Sequence, residues 1–236
     1  MPMILAVDTS AKSVSCALVS NQQLLASSFA NTGLTHSQTL MPMVQDMLRT
    51  AAVSMDQIDA VAVNAGPGSF TGVRIGVSAV KGFAFTRNLP CISVSTLACM
   101  AEIAAVAPNT VVCGVMDARC QQVYAATFLV NEDGNPTRLS EDTALAIVDL
   151  GEQLKSIKNP IVLIGDGSEL CYMTLKDSVP NLSLAPPAVR HQNAAGTALV
   201  AERMYLAGEM VSADALLPVY LRLPQAEREL KLKNEH

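Results

Sequence analysis

Asp59-Ala-Val-Ala-Val-Asn-Ala-Gly-Pro-Gly-Ser-Phe-Thr-Gly-Val-Arg-Ile-Gly76 reads as a buried strand, a glycine-rich turn and the start of a helix. Residues 59–63 form a short apolar run rich in Val, and apolar residues recur at helical spacing from Thr71 to Phe85. Gly66, Gly68 and Gly72 let the backbone turn tightly and leave no Cβ in the way of a ligand or another chain. A helix N-terminus carries unpaired N–H groups and partial positive charge, so the turn is chemically suited to an anion. The spacing is nevertheless that of neither common nucleotide motif. No Gly-Lys-Ser/Thr follows, and the three glycines miss G-x-G-x-x-G by one residue. Phosphate contact and a purely structural tight turn both remain open readings.

The surrounding chain repeats this pattern. Ile4-Leu-Ala-Val-Asp8 ends a strand in an acid; Val14–Val19 and Leu24–Phe29 follow as further strands, and a helix is expected near Gln38–Ala52. In the second half Val111–Met116 ends in Asp117, Val123–Val130 follows, and a helix near Leu150–Ile157 precedes strand Ile161–Ile164 and the turn Gly165-Asp-Gly-Ser168. Meander, helix, strand, glycine turn and helix, occurring twice, predict an α/β fold made of a duplicated ribonuclease-H-like lobe, the actin-like ATPase (ASKHA) architecture. The expected ranges are 1–107 for the first lobe and 108–222 for the second, with a charged tail at 223–236.

At 236 residues the chain suits two small lobes sharing an interface, and 50% hydrophobic residues without Trp give an aliphatic core. A formal net charge of -5 argues against autonomous nucleic-acid binding. The sequence Met-Pro-Met-Ile-Leu-Ala-Val-Asp8 reads as neither a signal peptide nor a membrane span. Cys16, Cys91, Cys99, Cys113, Cys120 and Cys171 include no C-x-x-C pair and read as reduced thiols of a cytoplasmic protein. With only His36, His191 and His236 available, no zinc site is expected. Asp8 and Asp117 stand where actin-like ATPases hold a metal; the alternative is that each caps its own turn.

Two helices spread apolar residues over more than one face. Leu40, Met43, Val44, Met47, Leu48 and Ala51 form a helical stripe beside Met41 and Met55. Pro42 fits the first turn if Gln38 or Thr39 caps that helix, with His36 just ahead of the cap. The second helix places Gly72, Gly76, Ala79 and Gly82 among Val73, Val77, Val80 and Phe83, a spacing that permits close helix approach. Ordinary packing and a shared docking surface both fit.

Taken together, Ala65-Gly-Pro-Gly-Ser-Phe-Thr-Gly-Val-Arg-Ile-Gly76, Ile4-Leu-Ala-Val-Asp-Thr-Ser10, His36-Ser, Leu40-Met-Pro42, Met116-Asp-Ala-Arg119, Val123-Tyr124 and Pro218-Val-Tyr-Leu-Arg222 resemble the bacterial TsaB (YeaZ) family over nearly the full chain. The resemblance implies a non-catalytic subunit in forming N6-threonylcarbamoyladenosine at position 37 of tRNAs reading ANN codons. It implies pairing with the related transferase TsaD, the ATPase TsaE as third component, and tRNA contact only within the complex. The implied pairing surface carries Leu40, Met43, Val44, Met47, Leu48, Val73, Arg74, Val77 and Val80, which isolated members also use to homodimerise. Asp8, Gly66, Gly68, Ser69, Thr71 and Gly72 would lie near any shared nucleotide. ATP, ADP and metal are expected only through TsaD and TsaE.

The catalytic relatives carry a metal-binding His-x-x-x-His pair. Aligned through Leu89-Pro-Cys-Ile-Ser-Val94, those positions fall on Thr96 and Met100, neither a good ligand for a hard or borderline ion. No late Asp-Asn-Gly segment occurs either. No catalytic or metal-ligating residue is therefore expected. A metallopeptidase lacks its ligands, and a stand-alone ATPase or kinase using Asp8, Asp117 and the glycine loop is the competing reading.

Overall fold

The computed structural model describes residues 1–104 and 106–222; the charged tail expected at 223–236 lies outside them. Strands β1 (Met3–Asp8), β2 (Val14–Ser20) and β3 (Gln23–Ala30) form an antiparallel meander. Helix α1 (His36–Thr50) follows, then β4 (Ala60–Gly66), α2 (Phe70–Phe85), β5 (Cys91–Ser95) and α3 (Thr96–Glu102). β4 lies parallel to β1, and β5 parallel to β4, giving the order β3-β2-β1-β4-β5. The second half repeats this. Its elements are β6 (Val111–Asp117), β7 (Gln122–Val130), β8 (Pro136–Arg138), β9 (Thr143–Ala146), α4 (Ile147–Lys155), β10 (Ile161–Ile164), α5 (Ser168–Leu175), β11 (Leu182–Leu184) and α6 (Ala194–Leu206). Its sheet runs β11-β10-β6-β7-β8, with β9 also on β7. The duplicated lobe expected from the strand-and-acid pattern is the observed fold.

Each sheet is covered on both faces, which is why its central strands are apolar in unbroken runs rather than alternating. On the first sheet, α1 and α2 cover Leu5, Val7, Val61 and Val63, whereas α6 covers Ile4, Ala6, Ala60 and Ala62. On the second, α4 and α5 pack over Val111, Cys113 and Val115, and α3 over Val112 and Met116. The third helix of each half is thus exchanged, α3 joining the second sheet and α6 returning to the first. This corrects the expected ranges. Position 107 separates the two sheets, but 108–222 is not a lobe by itself, because the alanine face of α6 has its apolar partner on β1, β2 and β4. A further segment also returns: Val211 bridges to Cys91, Leu216 is buried in the first core, and Val219 N–H donates to Ala65 O at 2.7 Å.

Glu202 of α6 is enclosed and accepts from the N–H groups of Asn21 and Gln22, both at 2.5 Å, and from Gln22 Nε2 at 2.7 Å. Asn21 and Gln22 have φ of 56° and 54°, so the β2–β3 turn aims both N–H groups at one carboxylate. The hairpin is therefore pinned by a residue some 180 positions away.

Helix α1 starts earlier than expected. Thr35 O already accepts from Gln38 and Thr39 N–H, so neither of those residues is the cap and Pro42 lies inside the helix. His36 is its first residue, with Nε2 donating to Ala11 O at 2.7 Å.

Candidate functional site

The glycine turn is built by close backbone approach. A Cβ on Gly72 would lie 2.1 Å from Thr9 O, on Gly68 2.4 Å from Ser10 O, and on Gly66 2.2 Å from Val219 O. Gly66 also has φ +135°, a conformation that L side chains rarely adopt. Ser69 N–H donates to Ser10 O at 2.7 Å, and Ser69 caps α2 through Gly72 N–H. The loop thus clamps the β1–β2 turn against the start of α2. Three backbone carbonyl oxygens fill the space the glycines leave, and they would repel a phosphate there. The residues do not fit a phosphate cradle at Gly66 or Gly72; the tight-turn reading describes this loop.

Asp8 follows the capping alternative. Its Oδ1 accepts from Ser10 N–H at 2.8 Å and Ser10 Oγ at 2.6 Å, while Oδ2 is buried without a partner. Burial pushes its carboxyl above the usual carboxylate range, partly offset by the Ser10 bonds, Asn64 and His36. Asp117 likewise caps its turn, accepting from Arg119 N–H at 2.7 Å.

The sign for Asp8 follows from its raised folded-state pKa. Its contribution is fully favourable below about 3.9, the unfolded value, and is lost as pH rises through the folded value. Asp8→Asn should therefore flatten the dependence of stability on pH, gaining relative to the wild type as pH rises above about 4. Urea unfolding of both proteins across that range measures it, and parallel pH profiles would refute the assignment.

Between the strand ends of the two sheets lies a cleft of about 460 Å³. Gly68, Ser69 and Thr71 line it, whereas Asp8, Gly66 and Gly72 sit behind its wall. Sequence reading missed Lys12, Asp166, Tyr220 and Arg222, which also line it. Asp166 carried the same signal as Asp8 and Asp117, an acid just beyond an apolar strand. It is largely buried, which raises its pKa, and it accepts from Asp117 N–H at 3.3 Å. The closing segment crosses the mouth. Tyr220 stacks on Phe70 with centroids 4.8 Å apart, and Arg222 Nη1 donates to Ala118 O at 3.0 Å on the opposite sheet. Arg74 lies over Phe70 at 3.9 Å and donates from Nε to Tyr220 Oη at 2.8 Å. Arg74 therefore holds this segment in place.

The expected pairing residues divide by face. Leu40, Val44, Met47 and Leu48 of α1, with Val73, Val77 and Val80 of α2, are buried against their own sheet. Seven of the nine are thereby corrected from docking surface to core. Their burial contributes about 1.5–3 kcal/mol each to folding, and that demand fixes which way each stripe faces. Only Met43, half-buried, and Arg74, exposed, reach the surface. The outward crest of α2 instead carries Thr71, Ile75, Ser78 and Gly82, with Met41 exposed on neighbouring α1.

Thr96 and Met100 are wholly buried on α3, and Thr96 Oγ1 has no partner. Among the described residues no group of three or more His, Cys, Asp or Glu is placed to hold a metal ion. Of the cysteines only Cys120 is exposed. Burial pushes the thiols of Cys16, Cys99 and Cys171 up to about 12, so they stay protonated. No described helix is long and apolar enough to cross a membrane.

Two sheets related by duplication, with a cleft between their strand ends, define the two-lobed actin-like (ASKHA) fold. A hexokinase of the ROK type from Thermus thermophilus shares the fold, with TM-score 0.50 at 12% identity over 87% of this chain and 100% of that one. The family model described as TsaD, tRNA N6-adenosine threonylcarbamoyltransferase, matches residues 30–230. The tRNA threonylcarbamoyladenosine biosynthesis protein TsaB of Escherichia coli is 34% identical over 96% of this chain and 97% of its own length; that of Bacillus subtilis is 29% identical over 95% and 96%. A Pseudomonas aeruginosa protein described as similar to peptidase YeaZ superposes with TM-score 0.80 at 30% identity, covering 94% of this chain and 100% of that one. The chain belongs to the TsaB (YeaZ) family.

Proposed function

We propose that this chain is a non-catalytic subunit required for forming N6-threonylcarbamoyladenosine at position 37 of tRNAs that read ANN codons. It pairs with TsaD through the outward side of α1 and α2, TsaE joins as third component, and tRNA is met only within that cytoplasmic complex. ATP, ADP and metal enter through the partners. The observation that carries this reading is full-length similarity to TsaB proteins combined with the exposed positions Thr71, Ser78 and Gly82 of α2, whose small side chains suit close approach of another helix beside half-buried Ile75. Thr96 and Met100, standing where the transferase has its histidines, favour an accessory role over transfer chemistry. The stand-alone ATPase reading is disfavoured by the carbonyl oxygens of Thr9, Ser10 and Val219 that crowd the glycine loop.

Reconstitution of tRNA modification from purified components, with and without this chain, tests the role. Omission should reduce threonylcarbamoyladenosine to background; undiminished product without the chain would overturn the reading. Calorimetry of Mg-ATP on the isolated chain separates the alternative, which requires tight binding and turnover by this protein alone.

A further inference from the structure

Five charged side chains line the cleft between the sheets. Lys12 stands in the β1–β2 turn, Arg119 in the equivalent β6–β7 turn and Arg222 on the closing segment, whereas Asp117 ends β6 and Asp166 follows β10. None of the five forms an ion pair among the described residues. Elsewhere the chain does pair its charges, as Arg138 with Asp142 and Arg203 with Glu102. Charged groups gathered in a cleft focus the local potential on whatever enters it. Here the two signs stand at different depths. Lys12 and Arg119 are exposed at the mouth, and Asp166 is largely buried.

Asp166 is the acid best placed for a ligand. Asp117 is already engaged, accepting from Arg119 N–H at 2.7 Å. The bonds that Asp166 accepts, from Asp117 N–H at 3.3 Å and Gln192 Nε2 at 3.4 Å, are long, and both fall on Oδ1. Its Oδ2 is left to the cleft. Burial pushes the Asp166 carboxyl above the usual range and Asp117 adds to the shift, so a cation beside it would favour the ionised form. The mouth is positioned as well. Arg222 is anchored by its bond to Ala118 O, and Arg119 opens a run of three left-handed residues, with φ of 62°, 53° and 55° through Gln121. Such conformations are costly and collect at ligand clamps.

A small molecule that answers both signs carries an amine and a carboxylate. The amine would meet Asp166 Oδ2 and the carboxylate the three cations. Tyr124 and the Phe70–Tyr220 stack supply an aromatic wall for a side chain. The volume of about 460 Å³ lies within the range of small-molecule sites. A nucleoside triphosphate fits worse, because its phosphates would face two carboxylates and the carbonyl oxygens at the glycine turn.

We propose that the cleft between the sheets binds a zwitterion of the amino-acid class, a free amino acid or short peptide with an apolar side chain, Asp166 taking the amine and Lys12, Arg119 and Arg222 the carboxylate. The site is separate from the α2 crest, so it stands or falls independently of pairing with TsaD.

Calorimetric titration of the full chain with L-phenylalanine, L-leucine and the dipeptide joining them tests this and separates the free from the peptide form. At least one should bind, whereas phenethylamine and hydrocinnamate, each with only one of the two charges, should bind at least tenfold more weakly than L-phenylalanine or the dipeptide. Asp166→Asn should weaken the zwitterion at least tenfold without weakening hydrocinnamate. Arg119→Gln, on an exposed turn, should weaken the zwitterion and spare phenethylamine, with an unchanged circular dichroism spectrum. Gly82→Arg should bind as the wild type does. Absence of binding by all three zwitterions would overturn the proposal. So would hydrocinnamate binding as tightly as L-phenylalanine, which would make this an anion site only, or displacement of the zwitterion by Mg-ATP, which would return the cleft to nucleotide.

Discussion

Gly72→Ala is expected to destabilise the protein by about 3 kcal/mol or more, whereas Gly82→Ala, on the same helix, is expected to stabilise it by up to about 1 kcal/mol. The added methyl group is the same in both, and its surroundings decide the outcome. At Gly72 the new Cβ would meet Thr9 O at 2.1 Å, far inside contact distance. That oxygen belongs to the backbone of the β1–β2 turn, which Thr9 Oγ1 also ties to Gly72 O at 2.7 Å. Neither side can yield without displacing β1, the strand that joins the meander to β4. At Gly82 nothing lies within 4 Å and the position is exposed, so only the backbone entropy gain of a better helix former remains. Urea denaturation midpoints of the two variants measure the contrast. Equal destabilisation would mean that the glycine motif serves something other than the clamp on Thr9 and Ser10.

Gly82→Arg should abolish co-elution with TsaD on size-exclusion chromatography, and with it tRNA modification in the reconstituted system, while the variant folds at least as well as the wild type. The long cation would stand on the outward crest of α2, where a partner helix would have to desolvate it without a counter-charge. Leaving a buried charge unpaired costs about 3–5 kcal/mol, which corresponds to more than a hundredfold in affinity. This position is a cleaner probe than Val77, which is 4% exposed and faces its own sheet. Val77→Glu would bury a charge in the first core, and any loss of pairing would report unfolding. Undiminished complex with Gly82→Arg would place the contact off the α2 crest.

The two variants show how far the sequence reaches. Helical spacing identified α2 and its apolar stripe within one residue of its observed start at Phe70. The same spacing could not say that Val73, Val77 and Val80 face inward, because α2 is apolar over several faces and the amphipathic signal is diluted. α1 posed the same difficulty, with Met41 beside a stripe that turned out to be core. Of the two strand-end acids the sequence singled out, Asp117 lines the cleft and Asp8 sits behind its wall, while Asp166, which carried the same signal, was missed. Tyr220 and Arg222 were not, since nothing local indicates that a segment after α6 crosses back over the first lobe.

The duplication, the strand ends marked by Asp8 and Asp117, and the strand–turn–helix at Gly66–Gly76 are written in the chain's own residue order, because they rest on periodicity and on backbone freedom at single residues. The exchange of α3 and α6 between the sheets emerges from long-range packing alone. That packing also gave the glycines their neighbours, Thr9, Ser10 and Val219, and left β3 as an open edge. Those outcomes depend on which distant surface offers the better apolar or hydrogen-bonding partner, and a one-dimensional pattern carries no record of that competition.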